Sequence, residues 1–265
     1  MELFDTHAHL DFSRFGEDRE KVMERALEAG VKYIVNAGAD ISSSKHAIKI
    51  AKSYRGIFAS AGMHPHEASR YDLDTASELK SLTEEKEVVA IGETGLDFHY
   101  DNSPREDQRQ AFRSQLRIAR GLEMPVIIHS REAEEDTLEI LDDEWNAPEK
   151  AVVHCFSSSS DMAEELISRG YLLGFTGLIT FGGLDWLRSI VSRVPLDKIL
   201  IETDSPYMSP EPKRGERNEP ARVKFVAEEV ASCHDIDLNE AARITTRNGL
   251  RLFSISEDKY LRKTE

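Results

Sequence analysis

Six side chains able to ligate a metal fall at the ends of short apolar runs in this sequence. His7 and His9 stand two apart in Asp5-Thr6-His7-Ala8-His9. Glu93 lies in Gly92-Glu93-Thr94-Gly95, after Val88-Val89-Ala90-Ile91. His129 closes Val126-Ile127-Ile128, His154 closes Ala151-Val152-Val153, and Asp204 follows Leu200-Ile201-Glu202-Thr203. On an extended segment, residues two apart point to one face, so His7 and His9 can clamp one cation. Imidazole nitrogens with carboxylate oxygens suit Zn²⁺, Mn²⁺, Fe²⁺ or Ni²⁺, and less strictly Mg²⁺. Glu93 has two oxygens and so can bridge two ions. Two divalent ions about 3.5–4 Å apart can activate water and offset the charge of an in-line phosphoryl displacement.

Each of these residues alone has an ordinary reading. A histidine at a strand end is more often a hydrogen-bonded structural residue than a ligand. Glu93 alone would serve as a cap or an arginine partner, and Asp204 before Ser205-Pro206 as a turn residue. What favours a metal site is their position: all six fall at the same end of their strands, where unpartnered buried charge would be costly.

The elements that position them recur along the whole chain. Apolar runs at 2–6, 31–37, 57–62, 88–92, 125–128, 151–153, 171–175 and 199–202 are rich in Val and Ile with little alternation, as strands covered on both faces are. Segments of helical periodicity separate them at 17–29, 43–54, 74–85, 105–122, 133–141, 161–168 and 185–193, with a further helix at 220–232. Strand then helix, about eight times, implies parallel pairing with right-handed crossovers. Eight units in one domain-sized chain predict a single (β/α)₈ barrel of the TIM type over residues 1–265, with a doubly wound open sheet as the alternative. In such a barrel, active sites form at the C-terminal ends of the strands, where the six residues lie. The segment 238–253 reads as an extra helix and 257–265 as a frayed tail.

The net charge of −15 argues against a protein that coats duplex DNA by neutralising phosphates. It is compatible with a nuclease, because bound cations add local positive charge that the formal count omits. The two cysteines, Cys155 and Cys233, are far apart and read as reduced thiols. With no signal-peptide pattern and no apolar run of membrane length, a cytoplasmic protein without membrane partners is expected.

Asp5-Thr6-His7-Ala8-His9-Leu10-Asp11, Gly62-Met63-His64-Pro65-His66, Gly92-Glu93-Thr94-Gly95-Leu96-Asp97, His129-Ser130-Arg131, His154-Cys155-Phe156-Ser157, Glu202-Thr203-Asp204-Ser205-Pro206 and Arg217-Asn218-Glu219-Pro220 run in order over almost the whole chain. Together they resemble the TatD-type metal-dependent deoxyribonucleases, a branch of the amidohydrolase-like barrels. The resemblance implies a hydrolase with two divalent metal ions cutting phosphodiester bonds of DNA, with exonuclease or related DNase activity; the acidic net charge adds an expected preference for single strands or ends. It implies one ion on His7, His9, Glu93 and Asp204, and a second on Glu93, His129 and His154. Asp204 would take the proton of the attacking water, and Glu93 and His64 would complete the catalytic set. Phe98-His99-Tyr100 departs from the family, which more often has paired tyrosines there.

Other positions are weighed from their surroundings. His64 reads as a phosphate contact or a support for a ligand, and His66 as a loop residue. Arg131 is placed to fork onto a phosphate, or to pair with Glu132 or Glu135. Lys213, Arg214 and Arg217 form a candidate substrate rim. The stripe of Arg105, Arg109, Arg113, Arg117 and Arg120 reads as a solvated face paired with acids. Competing functions are a metal hydrolase of another small phosphoester, an amide or a lactone, and a metal-binding protein without turnover.

Overall fold

The structure, a computed structural model, describes residues 1–256, so the expected frayed tail at 257–265 lies outside the described residues. Eight strands, β1 (Leu3–Ala8), β2 (Val31–Asn36), β3 (Ile57–Ala61), β4 (Val88–Asp97), β5 (Val126–Arg131), β6 (Ala151–Val153), β7 (Leu172–Phe175) and β8 (Ile199–Ile201), pair in chain order, every pair parallel. Parallel neighbours need crossovers, and the helices supply them. These are α1 (Arg19–Glu28), α2 (Ile41–Ser53), α3 (Leu73–Leu82), α4 (Arg105–Leu122), α5 (Glu134–Glu144), α6 (Ser160–Arg169) and α7 (Asp185–Val191), followed after β8 by α8 (Val223–Cys233) and α9 (Leu238–Leu252).

The ring closes at its mouth. Ala8 bridges Ser205 in parallel sense, the His9 N–H donates to Ser205 O at 2.8 Å, and the Asp204 N–H donates to His7 O at 2.9 Å. This is the expected (β/α)₈ barrel, and the open sheet is excluded. Every strand contributes to the interior: Phe4, Tyr33 and Val35, Phe58, Ala90, Ile127, Val152, Leu172 and Leu200. Leu250, Leu252, Phe253 and Ile255 join that cluster from the end of α9 and beyond. Gly249 lets α9 approach so closely that a Cβ there would lie 2.7 Å from the Phe4 ring. Alternate strand residues such as Leu3, Ile34, Ile57 and Ile128 pack outward with Phe112, Leu116, Val226 and Val230 of the helices.

Strand β4 departs most from expectation, running five residues beyond position 92 to Asp97. Polar Glu93 and Thr94 stay in the sheet because β5 runs alongside, pairing Gly95 with His129 and Asp97 with Arg131. Glycine makes this approach possible: at Gly95, with φ +141°, an added Cβ would lie 1.9 Å from His129 O. Residues 220–222 form a tight turn opened by Pro220, and α8 starts only at Val223. The arginines of α4 face α5 and its neighbours, with Arg109 on Asp136 and Arg113 on Asp143, as the reading of a paired face expected. Among the described residues, no helix is long and apolar enough to cross a membrane.

Candidate metal centre

Four imidazoles and two carboxylates meet at the mouth. His7 Nε2 lies 3.2 Å from His9 Nε2 and 3.2 Å from Glu93 Oε2. His9 Nε2 lies 3.6 Å from the same oxygen and 3.4 Å from Asp204 Oδ1. The other Glu93 oxygen, Oε1, faces His129 Nδ1 at 2.8 Å, His154 Nε2 at 2.8 Å and His64 Nε2 at 3.3 Å. The six residues named from the sequence, and His64, are thus brought together. Asp204 is set at φ +52°, a left-handed conformation that non-glycine residues adopt uncommonly, aspartate more readily than most.

Hydrogen bonds on the far side of the rings decide which nitrogen offers a lone pair. His9 Nδ1 lies 3.1 Å from Ala37 O, so it carries the proton and Nε2 is free. His129 Nε2 lies 3.0 Å from Asp97 Oδ2, which puts that proton on Nε2 and turns the Nδ1 lone pair toward Glu93 and His154. His154 Nδ1 stands 3.3 Å from Glu202 Oε1, though too poorly aligned for a hydrogen bond. His7 Nδ1 is buried and has no hydrogen-bond partner among the described residues. His64 differs from the rest. Its Nδ1 accepts the His66 N–H at 3.1 Å, so in the neutral ring the proton sits on Nε2, directed at Glu93. In that tautomer His64 is a donor into the pocket.

The donor set fits divalent cations. Lone pairs of His7 and His9, and of His129 and His154, face one another and two carboxylates, which requires positive charge between them. The titration behaviour says the same. Burial opposes charge on Glu93, but His154, His64 and His7 overcome it and hold the carboxyl well below its ordinary range. Burial also opposes charge on His9, yet Asp204 and Glu93 raise it to about 9. His154 is raised well above its ordinary value by Glu93 and Glu202 against the same penalty. Burial and neighbouring His154 push His7 down, so no proton resides there to neutralise the cluster. Among the described residues, three groups have their candidate ligand atoms within 4.8 Å of one another: His7, His9 and Asp204; His7, His154 and Glu202; and His64, Glu93 and His129.

Three buried carboxylates were not singled out from the sequence. Asp97 accepts from the rings of both His129 and His66, each at 3.0 Å, and from the backbone N–H groups of His99 and Tyr100. Glu202 accepts the Cys155 N–H at 2.5 Å beside His154. Asp5 accepts from the N–H and hydroxyl of Thr203, tying β1 to the segment that carries Asp204. The signal was present: each is a carboxylate in or next to an apolar run, where burial demands a partner. Cys155 is not a ligand, and burial pushes its thiol up to about 12.

The remaining sequence candidates divide. Arg131, the last residue of β5, pairs with neither Glu132 nor Glu135, because His99 Nδ1 holds Glu132 at 2.6 Å. Its guanidinium lies over the Tyr100 ring, 4.9 Å from the centroid. Arg217 is not aimed at the site. Its fork is engaged by Asp18 at 2.8 and 2.7 Å, and it donates to Arg14 O at 2.5 Å, so it clamps a loop rather than contacting substrate. Lys213 and Arg214 lie beside Glu216 and Glu211.

A parallel eight-stranded barrel with this cluster at its C-terminal mouth defines a metal-dependent barrel hydrolase. The profile of TatD related DNases matches residues 4–254, and the chain belongs to that family. A Bacillus subtilis protein named uncharacterized metal-dependent hydrolase YabD is 40% identical over 254 residues, covering 96% of this chain and all of that one. The Salmonella typhimurium protein named 3′-5′ ssDNA/RNA exonuclease TatD is 37% identical over 259 residues, covering 96% of this chain and 99% of its own. The crystal structure of YjjV, a TatD homolog from Escherichia coli K12, superposes with a TM-score of 0.90 at 30% identity, covering 96% and 98% of the two chains.

Proposed function

We propose that this hydrolase cleaves phosphodiester bonds of DNA, working inward from an end of a single strand. The observation that carries the reading is the division of Glu93. One of its oxygens faces His7 and His9, and the other faces His129, His154 and His64. This supports two divalent cations sharing Glu93, one held also by His7, His9 and Asp204, the other by His129 and His154. When bound, such a pair supplies an activated water and neutralises phosphoryl charge.

The chain's own groups do the rest. Asp204 Oδ1 faces His9 and His7, and the second carboxylate oxygen takes the proton of the attacking water. Burial holds His64 down to about 4, so at neutral pH it is an uncharged donor whose Nε2–H faces Glu93 Oε1 at 3.3 Å, where a phosphate oxygen would compete for it. Arg131, without a carboxylate partner among the described residues, offers its donors to a phosphate. The acidic surface argues against long duplex contacts and so for ends, and the exonuclease named among the relatives supports the same class of substrate. Cys155 and Cys233 are both free thiols, which supports a reducing, cytoplasmic setting.

The test is metal-reconstituted digestion of 5′- and 3′-labelled oligonucleotides, single-stranded and duplex, with EDTA controls and p-nitrophenyl phosphate beside them. Stepwise shortening of single strands from one end, abolished by EDTA, is expected. Turnover of p-nitrophenyl phosphate with all oligonucleotides left intact would assign a small phosphoester instead.

A further inference from the structure

Two exposed tyrosines stand at the mouth, and each carries an arginine that no carboxylate among the described residues neutralises. Tyr100 follows β4, is 55% exposed, and lies under Arg131, with 4.9 Å from Cζ to the ring centroid. Tyr207 follows β8, is 45% exposed, and lies under Arg14, with 5.8 Å from Cζ to the centroid. Neither arginine has an ion pair among the described residues. Glu132 is drawn away from Arg131 by His99, and the Arg14 segment is held from behind by Arg217, which binds Arg14 O and Asp18 together.

Ring contacts connect both pairs to the metal centre. Tyr100 stands edge-on to His66, with centroids 5.5 Å apart, and His66 shares Asp97 with His129. Tyr207 stands edge-on to Phe12 at 5.8 Å, and Phe12 stacks on His9 at 5.0 Å. In a ring ordered β1 to β8, the β4/β5 edge lies opposite the β8/β1 edge. The two pairs therefore flank the cluster from opposite sides.

We infer that the Tyr100–Arg131 and Tyr207–Arg14 pairs are two nucleobase platforms, one on each side of the scissile phosphate. Every base has a π-face, so stacking suits a strand of any sequence, while guanidinium groups reach the adjoining phosphates. A duplex would hide those faces in its own stack, so the arrangement selects unpaired nucleotides. The inference rests on the nuclease reading and adds to it where the strand lies and what it must present.

The test combines Tyr100→Ala, Tyr207→Ala and the two Phe variants with oligonucleotides carrying one abasic residue on either side of the cleaved bond. KM for single strands and Kd by fluorescence anisotropy in EDTA are measured for each combination. Each Ala variant should raise KM and Kd roughly 5- to 100-fold, and Phe should restore them. An abasic residue on one side should reproduce the effect of one Ala variant and make that variant silent, leaving the other fully expressed. If the parent cuts single strands but the Ala variants stay within twofold of it, the platforms are wrong and the nuclease reading stands. If the parent cuts no oligonucleotide, both fall.

Discussion

Asp97 sets the tautomer of His129, and its replacement by Asn should cost the enzyme one metal ion while sparing the other. Asp97 Oδ2 accepts both the His129 and the His66 ring at 3.0 Å, and Oδ1 accepts the backbone N–H groups of His99 and Tyr100 at 3.1 and 2.9 Å. An amide that keeps its oxygen on those backbone groups turns its NH₂ toward both rings. His129 must then place its proton on Nδ1, the nitrogen that faces Glu93 and His154, and so loses its lone pair there. A charge-assisted hydrogen bond is worth about 1.5–3 kcal/mol, and loss of the group that orients a ligand costs 10- to 100-fold in metal affinity, about 1.4–2.7 kcal/mol. The two estimates agree. Titration calorimetry with Mn²⁺ or Zn²⁺ should show the ion on the His129 side weakened by that factor in Asp97→Asn, with the His7 and His9 side retained. Circular dichroism checks the fold. Affinities within twofold of the parent at both sites would refute the tautomer argument.

Other consequences follow from single groups. Asp204→Ala should lower turnover at least about 100-fold, the range of a lost general base, with the thermal unfolding curve nearly unchanged; near-normal turnover removes Asp204 from the mechanism. Gly95→Ala sets a methyl 1.9 Å from His129 O, so its urea midpoint should fall by the equivalent of about 3 kcal/mol or more, and an unchanged midpoint would mean the strand can part. Burial lowers His64 from 6.5 to about 4, so between those pH values the unfolded chain binds more protons than the folded one. That contribution is complete above pH 6.5 and is lost as pH falls toward 4, by up to about 3 kcal/mol at about 1.4 kcal/mol per pH unit. Metal-free His64→Gln should therefore show a flatter unfolding free energy across that window, and parallel curves would exclude the effect.

The barrel was legible because its evidence is repetitive: eight buried runs separated by amphipathic ones leave few alternatives. The gathering of the six candidate residues was legible because imidazoles seldom collect at strand ends by chance. Less legible was whatever depends on contact between distant segments. The extension of β4 to Asp97 is decided by pairing with β5, not by local apolarity. Asp5 and Glu202 gain meaning only from Thr203 and from Cys155 and His154, which are remote in sequence. Arg217 drew notice as a cation after the eighth strand, but Asp18, 199 residues away, had already engaged its fork.

An acidic chain that handles a polyanion must confine its positive potential. Here most outer cations sit on carboxylates: Arg105 on Asp101, Arg113 on Asp143, Arg25 on Glu219 and Arg222 on Glu216. At the mouth, Arg14 and Arg131 lie on rings instead. Screening confines their attraction to about 8 Å at physiological ionic strength, while the net charge of −15 repels the rest of a long strand. A footprint of two phosphates on a single strand releases few counterions, and log Kd in EDTA should change with log salt by a slope of only about 1.4 in magnitude. Anisotropy titrations from 50 to 300 mM salt measure it directly. A slope near 5 would mean a broad phosphate track over the surface, which paired arginines on this barrel do not provide.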